Sequence, residues 1–347
     1  MSSLSALGRV REYFRRNFPA YALLLLAPAI PELLTGSTPV SELFYNWPGF
    51  VVGFLLDVAL YGTGALLIRE FAVAYRKGWA SILLLGAAYG IAEEGFEVHT
   101  FFQPSGSPVG ALGSYGHLAG VNWLWALVLT VFHSTYSIAL PILLTRLWFP
   151  EVKDERWLGR RTIAVLSVIF VTEVVGFGFL VGHGPTHAAL LFFVAVVAVL
   201  VGLALWVPRD LLRPRPGPCR IGRTPLVLLG AVEFLAYVLV LVFSNGRTIP
   251  AVGMAVFFVL ANLAVLAVLL RRVGTEGLDR SEFRFAVGML CALFAWDVLI
   301  EFILVPGILV VTAIFVYLLY RLDRTLARRS EFSSVPPGAT GFPPWGP

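Results

Sequence analysis

Ala188-Ala-Leu-Leu-Phe-Phe-Val-Ala-Val-Val-Ala-Val-Leu-Val-Gly-Leu-Ala-Leu-Trp-Val207 has no charged, hydroxyl or amide side chain, and Arg209 follows almost at once. Wound as a helix at about 1.5 Å per residue, such a run spans roughly 30 Å, the thickness of a bilayer's hydrocarbon core. It has no polar face to turn toward water, so it reads as a membrane crossing. The rest of the chain agrees: 58% of its residues are hydrophobic, 14% are charged, and the mean hydropathy is +0.82.

Working outward from this run, ten apolar segments appear: Phe18–Leu34, Phe50–Ile68, Trp79–Phe101, Val121–Leu144, Thr162–Gly182, Ala188–Val207, Pro225–Ser244, Pro250–Leu270, Phe285–Leu304 and Pro306–Tyr320. The predicted fold is an all-α polytopic membrane helix bundle of about ten transmembrane helices. The last two segments touch at Val305-Pro-Gly307, which reads as a tight hairpin or as a kink in one long helix.

The basic residues favour the hairpin. Of 26 Lys and Arg, all but Arg247 fall in alternate loops or in the two ends. They follow segments two (Arg69, Arg76, Lys77), four (Arg146, Lys153, Arg156, Arg160, Arg161), six (Arg209, Arg213, Arg215, Arg220, Arg223) and eight (Arg271, Arg272, Arg280, Arg284). The N-terminal arm carries Arg9, Arg11, Arg15 and Arg16, and the C-terminal arm carries Arg321, Arg324, Arg328 and Arg329. Because cytoplasmic loops retain Lys and Arg, both termini are expected in the cytoplasm and the number of crossings is even. The expected location is the plasma membrane. The formal charge of +5 then follows from topology, with anionic lipid as the counter-charge and no nucleic-acid partner. Cys219 and Cys291 lie at different depths and do not pair.

The domain reading is a cytoplasmic basic arm over 1–17, one transmembrane domain over 18–322 with a Pro/Arg-rich loop at 208–224, and a disordered Pro-rich tail over 323–347. Segment one is broken at Ala27-Pro-Ala-Ile-Pro-Glu32 and segment six is unbroken, which counts against paired inverted repeats of five helices.

Acidic residues carry the functional signal. Glu32, Asp57, Glu93, Glu94, Glu97, Glu173, Glu233, Asp297 and Glu301 lie inside or at the edge of the segments, with His133 the only candidate cation at depth. An ionised carboxylate at mid-bilayer costs at least about 2.5 kcal/mol, so such groups mark sites by default. Counted along the helices, Glu93 lies roughly 9–12 Å and Asp57 about 10 Å below the outer face, with Glu173, Asp297 and His133 at roughly 12–18 Å. The layer runs from the midplane outward and predicts an outward-opening polar cavity.

Tyr89-Gly-Ile-Ala-Glu-Glu-Gly-Phe-Glu-Val-His99 is the densest stretch. On a regular helix Glu93, Glu97 and Tyr89 share a face, and Glu94 points about 100° away. Adjacent carboxylates suit a general base or a metal ligand, or else hydrogen bonds between helices. On segment four, Thr130, His133, Ser134 and Ser137 form a polar stripe, and Pro141 leaves the Ser137 carbonyl without its helical donor. The loop Thr100–Gly120 joins these two helices and suits a lid or an ordinary surface loop. His183 and His187 are four apart, with Gly184 and Pro185 between them.

A Glu-Glu pair on one membrane helix and a His on the next resembles the CAAX-protease and bacteriocin-processing family of intramembrane metalloproteases. Its first motif is Glu-Glu-x-x-x-Arg and its second Phe-x-x-x-His. Here Glu93-Glu94 and His133 match, whereas Val98 and Leu129 stand at the Arg and Phe positions. The Tyr-Gly-Ile-x-Glu-Glu-Gly stretch also resembles uncharacterised prokaryotic membrane proteins.

The resemblance and the acid layer together imply a hydrolase, specifically a peptidase. Glu93, Glu94 and His133 would be catalytic, with a divalent metal such as zinc on His133 and Glu93. Asp57, Glu97, His99, Ser137, Glu173 and Asp297 would support them. The same acids also suit a proton- or cation-coupled transporter, and a non-catalytic scaffold is the third reading. The partner common to all three is the lipid bilayer.

Overall fold

The long apolar segments all fold as helices, the one geometry that satisfies every backbone polar group inside a single lipid-facing segment. The computed structural model describes residue 8 and residues 17–106, 108–181, 184–246, 248–303 and 305–333. The basic residues of the N-terminal arm, His183, Arg247 and the tail from 334 lie outside these.

The helices are α1 (Asn17–Leu33), α2 (Trp47–Ala74), α3 (Trp79–Ile91, continued to Glu97 by a wider turn), α4 (Trp123–Trp148), α5 (Arg160–Gly178), α6 (His187–Trp206), α7 (Arg223–Gly246), α8 (Ala251–Arg272), α9 (Leu278–Glu301) and α10 (Ile308–Ser333). Seven of them, α2 and α4 to α9, are long and apolar enough to cross a membrane. The protein is an all-α polytopic membrane bundle.

The final hairpin forms as the charge pattern predicts. Helix α9 ends at Glu301 and α10 begins at Ile308, with Gly307 at φ +91°. The Glu301 carboxylate accepts the N–H groups of Gly307 (2.9 Å) and Leu309 (3.0 Å), capping the open donors of α10. Glu301 is therefore a cap. Two boundaries differ from the sequence reading. Helix α10 continues to Ser333, so residues 323–333 are helical instead of part of a disordered tail. Helix α2 continues past Ile68 to Ala74 and buries Arg69, assigned above to a loop. The cost of burial is offset locally: Arg69 bonds Glu70, donates to the carbonyl of Lys153 (3.0 Å), and lies 3.4 Å from the centre of the Trp157 ring.

The basic loops meet at one end of the bundle. Strand β1 (Arg215–Pro218) pairs in parallel with β2 (Gly274–Glu276), tying the loop after α6 to the loop after α8. Arg329 on α10 donates to the carbonyl of Leu147 at the end of α4.

Two apolar clusters fill the interior. One joins α4 to α7, α9 and α10. The other joins α1, α2 and α3 and takes in Ile138 and Ile142 of α4 and Val174 of α5. Helix α4 belongs to both, so its polar stripe is held at the seam between them.

Candidate functional site

Four helices lose their α winding for one turn: Ala29–Leu33 in α1, Val58–Gly62 in α2, Ala92–Glu97 at the end of α3 and His133–Ala139 in α4 are π-helical. Their hydrogen bonds reach one residue further, as in Leu34 N–H to Ala29 O (3.2 Å) and Val98 N–H to Glu93 O (3.0 Å). Proline accounts for part of this. Pro31 sits inside the first π turn and Pro141 just beyond the last, and neither supplies the N–H that an α turn needs. Single π turns concentrate at functional sites. Here all four carry the polar side chains: Glu32, Tyr61, the Glu93/Glu94/Glu97 group, and His133 with Ser137.

The wide turn changes which residues share a face. Regular winding sends Glu94 away from Glu93, but the π turn brings both to His133. The ring Nε2 lies 3.0 Å from Glu94 Oε1. Nδ1 lies 2.9 Å from Ser137 Oγ and 3.1 Å from Glu93 Oε2. A neutral ring donating from Nε2 to Glu94 and accepting at Nδ1 from the Ser137 hydroxyl satisfies both nitrogens. Glu93 Oε2 then faces Nδ1 without a hydrogen bond of its own. All of these side chains are buried.

The network continues on both sides. The Tyr61 hydroxyl bonds Glu93 Oε1 and Glu32 Oε1. Thr38 Oγ1 donates to Glu32 Oε2 (3.1 Å) or to Asp57 Oδ2 (3.0 Å), joining the loop after α1 to α2. On the other side Thr100 Oγ1 bonds Glu94 Oε2 and accepts from Trp125 Nε1 at 2.9 Å. Asn122 Nδ2 donates to the carbonyls of Thr100 (3.0 Å) and Gln103 (2.6 Å). Phe101, Phe102, Leu112 and Tyr115 are buried, and Tyr115 donates to the carbonyl of Ile249. The described residues from Thr100 to Asn122 thus form a cover pinned by these buried contacts, with Thr100 against Glu94.

Close approach of α3 to α4 depends on Gly86 and Gly90. A Cβ at Gly90 would lie 2.9 Å from His133 Cβ, and one at Gly86 would lie 2.9 Å from Ser134 Cα. Small residues four apart let membrane helices meet at backbone distance, and here they bring the ring to the carboxylates.

Most of the predicted site residues converge. Glu93, Glu94, His133 and Ser137 are in direct contact, and Asp57 joins through Thr38 and Glu32. Glu97 and the half-buried Glu173 face one another where α5 packs on the π turn of α3. His99 ends that turn in the left-handed region at φ 58° and is buried. Asp297 stands apart, accepting from Thr312 on α10 at 2.6 Å. Glu233 likewise bonds Thr135 on the other flank of α4.

The expected outward-opening cavity takes a different form: the groups touch one another and the centre is a closed, buried network. Sequence reasoning did not single out Tyr61, Thr38 and Thr100 or the Gly86/Gly90 spacing. Tyr61 follows Asp57 by four residues, as Glu93 follows Tyr89, and that repeat was the available signal.

Glu93, Glu94 and His133 each offer a ligand atom, and those atoms lie within 4.8 Å of one another. Catalytic zinc sites draw imidazole and carboxylate donors among their three protein ligands, and His133 with Glu93 would supply one of each. The hydrogen-bond-free Glu93 Oε2 is the atom such an ion would satisfy. The residues present therefore fit a divalent metal.

A helical membrane bundle with a buried Glu-Glu-His centre is the class that fold and site define. Within that class, the chain belongs to a family described as an uncharacterized membrane protein family, whose profile matches residues 22–331. No curated protein and no solved structure matches the chain.

Proposed function

We propose that the protein is an intramembrane hydrolase of the peptidase type, with Glu93, Glu94 and His133 as its centre. The observation that carries this reading is the convergence of two carboxylates on one imidazole, buried and within 4.8 Å of one another. His133 and Glu93 would hold a divalent ion such as zinc. When bound, that ion supplies Lewis acidity and a nucleophile from water at neutral pH. Glu94 would take the proton as the water oxygen bonds to the scissile carbonyl carbon. It would return that proton to the leaving nitrogen as the C–N bond breaks. Ser137, which bonds Nδ1 here, would yield that nitrogen to the ion, and Thr100 with Trp125 fixes Glu94. Movement of the cover from Thr100 to Asn122 would open this centre to water and substrate.

One observation favours a second reading, a proton- or cation-coupled transporter. Asp57, Thr38, Glu32, Tyr61 and Glu93 form one hydrogen-bonded chain and His133, Glu94 and Thr100 a second, and the two meet where Glu93 Oε2 lies 3.1 Å from His133 Nδ1, a gap that a protonated ring would bridge. Such a relay moves protons without any hydrolysis.

In either reading we place the protein in the plasma membrane with ten crossings and both ends cytoplasmic. Cysteine labelling should then reach positions near 40, 110 and 305 from outside and positions near 74, 155, 215 and 277 from inside. Finding position 340 outside would remove the ten-crossing arrangement.

The deciding experiment uses purified wild-type protein and the Glu93→Gln, Glu94→Gln and His133→Ala variants. A metallohydrolase carries stoichiometric metal, loses it in His133→Ala, and loses turnover of a membrane peptide library in all three. A transporter shows no stoichiometric metal, and at least one Gln variant still exchanges substrate across a vesicle. Absence of bound metal, with no stabilisation by added zinc, would sink the metallopeptidase reading.

A further inference from the structure

Two cavities at the arginine-rich end of the bundle meet at one tryptophan. The first, about 650 Å³, opens among the loops after α2, α4 and α6, and its wall counts seven Lys or Arg against four Asp or Glu. The second, about 480 Å³, is a cleft among α3, α4, α7, α8 and α9, lined mainly by Leu, Val, Phe and Met side chains. Trp79, Leu212, Pro214, Leu278 and Glu282 belong to both walls. The two together make one recess, cationic at one end and apolar along the other. Each volume falls within the roughly 300–1,000 Å³ of small-molecule sites.

The retention of basic residues in cytoplasmic loops explains why cations are present at this end. It does not explain their arrangement. The Arg146 guanidinium is held 5.6 Å from the centre of the Trp79 ring, at the junction of the two cavities. Among the described residues Asp154 is the one carboxylate within 4 Å of it, at 3.8 Å and largely exposed, and Glu282 on the shared wall interacts with it and with Lys153 at longer range. Arg76, Lys153 and Arg209 line the same chamber and pair with no carboxylate among the described residues. Lys77 is already committed, donating to the carbonyls of Leu205 and Val207 that end α6. The chamber thus offers a surplus of positive charge beside a greasy slot. Basic pockets between membrane helices at head-group level take anionic lipid heads.

The slot extends far into the bundle. It passes Leu263, Leu266 and Leu270 of α8 and the Glu233–Thr135 pair, and ends at Thr130 and Ser134. Ser134 is the residue after His133, so the far end of the slot meets a face of α4 adjoining the one that carries His133.

We propose that this recess binds an anionic amphiphile with one phosphate head and one apolar chain. The head would sit against Arg146, Lys153 and Arg209, and the chain would lie in the cleft along α8. This is a binding site separate from the Glu93–His133 centre, and it stands whether or not that centre hydrolyses anything.

The test uses the full chain purified in a neutral maltoside detergent and three probes: dodecyl phosphate, dodecanol and inorganic phosphate. Binding is followed by thermal shift and by native mass spectrometry. Dodecyl phosphate should stabilise the protein and appear as a retained adduct, whereas neither dodecanol nor inorganic phosphate should match it at equal concentration. Arg146→Gln should weaken dodecyl phosphate binding about tenfold or more. Leu266→Trp, which fills the slot, should weaken binding of the amphiphile and leave inorganic phosphate unaffected. Both variants are checked for unchanged unfolding temperature without ligand, and Lys153→Gln replaces Arg146→Gln if the latter misfolds. Equal binding of dodecanol would overturn the role of charge. Equal binding of inorganic phosphate would overturn the role of the slot. Wild-type affinity in both folded variants would overturn the proposal.

Discussion

Helices α1 to α4 and helices α5 to α10 solve the same membrane problem in opposite ways. Each of the first four contains a π turn, and each π turn carries a polar group into one network. The later helices are regular, and their polar groups have scattered partners: Glu301 caps a hairpin, Asp297 bonds the next helix, and Glu233 reaches across to Thr135 of α4. Burial divides less cleanly, since α2 and α9 are each 44% buried, but its extremes fall in the two parts. The most apolar window of α4 is 72% buried within the protein, whereas that of α5 is 6% buried. A lipid-facing helix needs nothing beyond its own hydrogen bonds. A helix that must aim several polar groups at one point gives up regular winding to do so.

The largest expected contrast comes from one chemical change made in both parts, acid to amide. Under the proposed hydrolase function, Glu94→Gln removes a group that touches His133 and should lower turnover by roughly 10²–10⁴-fold, the usual worth of a positioned acid or base. Asp297→Asn should leave turnover within about twofold, measured in the same assay, because its partner Thr312 lies outside the network. Comparable losses in the two variants would erase the division between the two parts.

Adding one methyl group gives a second contrast. Gly90→Ala puts a carbon 2.9 Å from His133 Cβ, whereas a Cβ at Gly202 on α6 meets nothing within 4 Å. Overpacking should cost Gly90→Ala about 1–3 kcal/mol in thermal or denaturant unfolding. Gly202→Ala should stay within about 0.5 kcal/mol of wild type, or gain slightly from helix propensity.

Thr100→Val is a finer probe of the cover. It deletes the hydroxyl that bonds Glu94 and accepts from Trp125, for an expected loss of about 0.5–1.5 kcal/mol per hydrogen bond. Activity should fall with stability, since the same hydroxyl orients the carboxylate. A stable variant with unchanged activity would mean that the cover does not position Glu94. The smallest effect should be the unfolding shift of Asp297→Asn, about 0.6 kcal/mol, the average for a hydrogen bond between membrane helices.

The fold was legible because bilayer thickness and loop charge act on whole segments, and these are long enough to average out local error. Even the final hairpin followed from four C-terminal arginines. The centre was legible in part. A carboxylate in an apolar run is conspicuous wherever it points, so Glu93, Glu94 and His133 stood out. Their mutual orientation did not, because counting at 3.6 residues per turn sends Glu94 off the shared face. A π turn depends on what the neighbouring helices offer, and one segment's periodicity contains nothing of that. Tyr61 and Thr38 were hidden for the same reason, since each becomes part of the centre through a contact with another helix. Arg69 misled in the opposite sense: a charge at a segment end looks like a boundary, yet Glu70 and Trp157 allow it to lie buried within the helix.

A π turn holds one residue more than the α turn it replaces. Four such turns, at Ala29–Leu33, Val58–Gly62, Ala92–Glu97 and His133–Ala139, separate this bundle from a plain one. In hereditary terms each is the length of a single inserted codon. Removing one codon from Ala92–Glu97 would keep the number of helical turns and the loops at either end. Where the lost codon precedes Glu93, it would also rotate Glu94 relative to His133. Chemistry of this kind can therefore be gained or lost by a lineage through one-residue insertions and deletions, with the membrane topology unchanged throughout.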